Sequence, residues 1–130
     1  MLETMRKATI LISILAFSVF GLLAQDDLAT FQTMMKAAAG ANGAARGAAD
    51  QAALSAKAKE AAENFDKIAA YFKEKGKDDG VKFAMAASEV YKTAGSAATL
   101  EEGKAALGKV GPNCQGCHAV YRDGSKFKGM

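Results

Sequence analysis

The five residues Cys114-Gln115-Gly116-Cys117-His118 constrain this chain more than any other stretch, because they hold both of its cysteines and its only histidine. Two thiols one helical turn apart can each form a thioether with one of the two vinyl groups of a single porphyrin. The imidazole on the next residue can then reach the iron as its proximal ligand. For that reason Cys-x-x-Cys-His is the attachment signature of a c-type haem. Other readings fit less well. A redox dithiol of the thioredoxin type belongs in a strand–helix–strand setting, and no alternating strand pattern flanks the pair. A structural zinc site takes four ligands, and the chain has no further cysteine or histidine to complete one. A chance pattern would need the sole histidine to fall by accident directly behind the sole cysteine pair. The expectation is one covalent haem c per chain, held through Cys114, Cys117 and His118.

Residues 1–24 read as a secretory signal peptide: Arg6 and Lys7 form the positive start, residues 8–23 the apolar run, and cleavage follows Ala24, although Leu22 makes a poor small-x-small site. The rival reading is an uncleaved membrane anchor, since the run is only slightly shorter than the roughly 20 residues a spanning helix needs. A bundle that follows directly favours cleavage, a periplasmic location and no stable membrane span afterwards. An oxidising compartment would pair Cys114 with Cys117, so haem attachment there requires a maturation system that keeps both reduced. The net charge is +3, and losing Arg6, Lys7 and Glu3 with the signal leaves +2. Two haem propionates would bring that near zero, so the slightly basic balance gives no argument for a nucleic-acid partner.

Residues 25–130 suit one small helical domain, with half of the chain hydrophobic and a single proline. Leu28, Phe31, Met35, Ala38 and Asn42 form one stripe of a first helix, with Asp26 and Asp27 at its start. Gly40, Gly43 and Gly47 follow among alanines. They admit either the close approach of a flat ligand or neighbouring helix, or simply a loop. Asp50 caps a second helix over 51–75, whose seam is Leu54, Ala58, Ala61, Phe65, Ile68 and Phe72; Gly76 stops it. Asp78 or Asp79 caps a third helix over 80–94, with Val81, Ala84, Met85, Ser88 and Tyr91 inward and Gly95 at its end. Thr99-Leu100-Glu101-Glu102 is a capping box. The helix it opens carries Leu100, Gly103, Leu107, Val110, Cys114, Cys117 and Tyr121 on one stripe. The two cysteines thus share a seam with core residues, which puts the porphyrin inside the bundle. Pro112 predicts a kink or restart near Gly111, and the lysine-containing tail from Asp123 predicts a frayed end. The fold class is all-α: an antiparallel up-down-up-down four-helix bundle enclosing a covalently attached haem.

Val110-Gly111, Cys114, Cys117-His118 and Tyr121-Arg122 together read V-G-x-x-C-x-x-C-H-x-x-Y-R near the C-terminus. In this the chain resembles the cytochrome c′ family, including its low-spin relatives with histidine and methionine as iron ligands. The resemblance spans residues 26–123 and is strongest in the last helix. It implies that His118 is the proximal ligand, that Arg122 lies near the proximal haem face, and that Met35, in the run Gln32-x-x-Met35-Lys36, stands over the other side of the iron. The chain departs from the family in carrying Phe31 where a basic residue is usual, and in a short link at residues 76–79. Arg122 also reads as an ordinary surface arginine. A homodimer through the first two helices is implied by the resemblance alone.

Two functions follow. One is electron transfer with periplasmic redox partner proteins, the iron being six-coordinate through His118 and Met35. The alternative is a five-coordinate haem in which Met35 screens the open face from all but small uncharged ligands such as nitric oxide or carbon monoxide. Neither a distal histidine nor an acid–base pair is evident, so no enzyme activity is expected and no catalytic residue is assigned.

Overall fold

The structure, a computed structural model, describes residues 27–123 and 126–127. The signal peptide expected at residues 1–24, and Asp26, lie outside them. The described chain is helical apart from short links between the helices and one short strand pair. Helix α1 is Asp27–Arg46, α2 Gln51–Glu74, α3 Asp78–Gly95, α4 Leu100–Leu107 and α5 Gly111–Tyr121, with a 3-10 turn at Gly108–Val110 joining the last two. Two-residue strands β1 Arg122–Asp123 and β2 Lys126–Phe127 pair antiparallel after α5. Among the described residues no helix is long and apolar enough to cross a membrane.

From Phe31 on, the described residues cluster as one compact unit, and its cross-links fix the helix directions. Going up α3, Gly80 meets Phe72, the Ser88 hydroxyl faces the Ala62 carbonyl, and the Gly95 carbonyl accepts from Ser55. Numbers rise on α3 as they fall on α2, so the two run antiparallel. Gly116 on α5 meets Phe83, and Tyr121 meets Asp79; α5 therefore runs against α3. Arg46 donates to the Leu107 carbonyl at 3.4 Å, whereas Phe31, fifteen residues earlier, packs on Tyr71 and Phe72. The result is an up-down-up-down bundle in which α4 and α5 together form the fourth rod.

The helix boundaries follow local chemistry. Asp50 accepts the Ala53 N–H at 2.8 Å as the N-cap of α2. Replacing it with alanine removes that acceptor and is expected to lower unfolding free energy by about 1 kcal/mol, read from the denaturant midpoint. Gly76 ends the α2 turn at a φ of +69°, a conformation costly for other residues. Thr99 accepts the Glu102 N–H, as the capping box predicts. The proline is accommodated by a restart: the 3-10 turn ends at Val110, and Pro112 falls in the first turn of α5, where no helical hydrogen bond is lost.

Several expectations are corrected. The α3 helix opens two residues early, with Lys77 at its N-cap and no side-chain cap. Asp78 and Asp79 instead sit inside the first turn, where the helix dipole favours them, and Gly95 closes the helix from within. All six α2 seam residues are buried. On α3, however, Met85 is 45% exposed, and Ala84, Ala87, Tyr91 and Ala94 form the buried face. On α1, Leu28 is 43% exposed, while Ala38, Ala41 and Ala45 are buried. Gly40 and Gly43 are helical and Gly47 lies in the turn after α1; among the described residues nothing comes within 4 Å of a Cβ placed on Gly40 or Gly43. At the tail, where fraying was expected from Asp123 on, Asp123 and Lys126–Phe127 are paired in β1 and β2, with Arg122 opposite Phe127.

Candidate functional site

The antiparallel pairing of α1 with α5 brings Met35 to the level of His118. Both line a cavity of about 520 Å³, within the roughly 300–1,000 Å³ common for cofactor sites. Cys114 and Arg122 also line it, with Phe65 from α2 and Tyr91 from α3. Along α1 it extends from Gln32 to Asn42, about 15 Å at the helical rise. A narrower cavity of about 20 Å³ adjoins it, sharing Met35, Phe65, Cys114 and His118 and adding Cys117 and apolar residues of α2 and α3. The five residues singled out from the sequence are therefore brought together: Cys114, His118, Met35 and Arg122 on the wide cavity, Cys117 on the narrow one.

Both cysteines are free and half-buried. Burial pushes the Cys114 thiol up, with the Arg46 charge offsetting part of the effect. Burial, the neighbouring Cys114 and the Asp79 carboxylate push Cys117 up to about 11. Burial lowers His118, and the Arg122 charge lowers it further, so the imidazole is neutral over more of the pH range and its lone pair is available to a metal. Arg122 is exposed, as an ordinary surface arginine is, and its charge acts on His118. Among the described residues no group of three or more His, Cys, Asp or Glu could hold a metal ion. Cys114, Cys117 and His118 do not converge as ligands of one bare ion would.

Sequence reasoning did not single out the upper end of the cavity. There the Tyr91 hydroxyl donates to Asn42 Oδ1 at 2.8 Å, and Arg46 Nε donates to the same oxygen at 3.3 Å. Arg46 also reaches the Leu107 carbonyl, so one cluster ties α1, α3 and α4. Burial raises the Tyr91 phenol, with Cys114 adding to the shift and Arg46 opposing it. The available signal was a polar tip on each stripe, Asn42 on α1 and Tyr91 on α3, since buried polar tips require partners. Phe83 was missed too. A Cβ on Gly116, inside the haem motif, would come within 2.5 Å of its ring, so the motif's second variable position is glycine for a packing reason.

No family model, curated protein or solved structure matches this chain.

The residues present fit a covalently held haem. The cavity has the size of a cofactor site, its floor is apolar through Phe65 and Ala38, and its donors are two free thiols, a thioether and a neutral-leaning imidazole. Those are the side chains that attach haem and ligate its iron.

Proposed function

We propose that this chain is a c-type haem protein of the periplasm, a four-helix-bundle cytochrome similar to the cytochrome c′ family, that transfers electrons to protein partners. Cys114 and Cys117 would carry the haem c, and His118 and Met35 would ligate its iron. When bound, the haem supplies a one-electron couple. The observation that carries the reading is the sharing of one cavity by Met35, from α1, and the Cys114–His118 turn of α5. The chain's own contribution is to hold a nitrogen and a sulfur donor on two antiparallel rods, so that neither has to move when charge changes. The apolar side chains Phe65 and Ala38 on the cavity wall would limit water beside a bound haem, which lowers the reorganisation that accompanies electron transfer.

A second reading, binding of nitric oxide or carbon monoxide at a five-coordinate iron, draws support from the narrow cavity beside Met35. Its roughly 20 Å³ exceeds the ~10–15 Å³ that a water-sized guest needs, and its walls include Ile68, Ala84 and Ala87. Visible absorption of exported, matured protein separates the two. Electron transfer with Met35 as ligand requires a low-spin spectrum with a methionine–iron band, and Met35→Ala should abolish that band. A high-spin reduced spectrum that shifts on adding carbon monoxide would establish the second reading instead.

A further inference from the structure

Two contacts seat α5 on α3, and they flank Cys117 and His118. The upper one is Gly116 against the Phe83 ring. The lower one is Tyr121, one turn beyond Cys117. Its side chain is buried, its hydroxyl donates to Asp79 Oδ1, and its ring lies tilted on Phe72 with centroids 4.8 Å apart. Asp79 is fixed from its own side, since the same oxygen accepts the Gly80 N–H at 2.8 Å. Gly80 is itself pressed on Phe72, where a Cβ would come within 2.5 Å of the ring. The Tyr121 hydroxyl holds the Asp79 carboxyl below its usual range, while burial and the Asp79 bond push Tyr121 up to about 12.

Helix α5 is 11 residues long and follows a 3-10 joint that is seated by the buried Val110. At Gly108 in that joint and Gly111 just after it a Cβ would meet nothing within 4 Å, so between Val110 and the far end of α5 the helix is held on α3 by Gly116 and Tyr121. At the other end the chain leaves the helix at Arg122, which is extended, and the Arg122 N–H bonds to the His118 carbonyl. The turn that carries the His118 imidazole is thus the turn that Tyr121 closes.

We infer that Asp79 and Tyr121 are positioning residues, whose hydrogen bond clasps the last turn of α5 to the first turn of α3 and so holds the His118 imidazole toward the cavity. The inference rests on the haem reading above. Its test uses the full, exported chain, with mass spectrometry first establishing haem loading. Tyr121→Phe keeps the buried ring and leaves the Asp79 charge in place, so any change it causes comes from the lost hydrogen bond. Asp79→Asn keeps an acceptor but weakens the bond. The expected result is a tenfold shift in the oxidation equilibrium of the Tyr121→Phe protein, 59 mV for one electron. Asp79→Asn also removes a charge that acts on Cys117, so its shift contains the bond's share and the charge's share, and adding it to Tyr121→Phe should move the potential by the charge's share only, less than the sum of the two single shifts. A merely structural bond would lower the melting temperature and leave the potential where it was. An unchanged potential in the folded, loaded Tyr121→Phe variant, or shifts that simply add, overturns the inference. If the wild-type chain carries no haem mass, it is the haem reading that fails. The clasp is then read from amide hydrogen exchange at residues 117–121 of the polypeptide, where Tyr121→Phe should cut protection about tenfold and unchanged protection refutes it.

Discussion

Replacing Cys114 and Cys117 together by alanine is expected to yield an exported chain with no covalently attached haem, whereas either single replacement leaves one thioether. The expectation follows from counting: these are the only two thiols in the protein, and both open onto the cavity system around His118. Alanine at these positions removes sulfur without adding bulk, and both sites are on a helix that alanine favours, so α5 should persist. The remaining lining, Phe65, Tyr91 and Met35, would still admit haem non-covalently, with His118 as its ligand. Mass spectrometry under denaturing conditions separates these outcomes. Wild type should carry the haem mass, each single variant should carry it with one bond fewer, and the double variant should run as bare polypeptide. Haem mass surviving in the denatured double variant would refute attachment at this motif. Bare wild-type polypeptide after maturation would refute the haem reading altogether.

How far the sequence foretold this arrangement differs from helix to helix. The α2 seam was fully legible, because six apolar residues repeat at alternating spacings of four and three with charges between them, and all six are buried. The last rod was legible for a related reason: Gly103, Leu107, Val110 and Tyr121 are buried on the stripe that also carries the half-buried cysteines. On α3 the stripe was drawn too wide. Met85 is one residue, about 100° of helix, round from Ala84, and small Ala87 and Ala94 take the inward positions because they let α2 and α3 approach. Alanine carries little periodic signal in a chain so rich in it, which also hid Ala41 and Ala45 on α1 behind the larger Leu28. The α3 start was misread because Asp78 and Asp79 suit an N-cap and a first turn equally well; the partner that Asp79 meets, Tyr121 of α5, is tertiary information. The Gly116–Phe83 contact and the Asn42–Tyr91 bond join residues more than thirty apart, and local periodicity does not encode such pairings.

The largest loss of stability from a single core substitution is expected at Phe72. Its side chain is fully buried, and its ring meets Phe31 at 5.4 Å, Tyr71 at 6.0 Å and Tyr121 at 4.8 Å between centroids. Gly80 backs the ring so closely that no Cβ fits there. Phe72 is thus the point where α1, α2, α3 and α5 all touch one side chain. Phe72→Ala removes the ring and leaves a void that four backbones cannot all close, so a loss of about 3–5 kcal/mol is expected. For a domain of this size that corresponds to a drop in melting temperature of more than about 12 °C. Phe72→Leu fills most of the space and should cost about 1 kcal/mol. The void would also open directly beneath Tyr121, so the alanine variant should raise hydrogen exchange in the last turn of α5 before it does so in the middle of α2. Guanidinium denaturation and thermal melting of the two variants measure the difference. A Phe72→Ala loss below about 1 kcal/mol would mean that the aromatic cluster does not hold these four helices together, and the seating of α5 would then have to come from Gly116 and the joint above it.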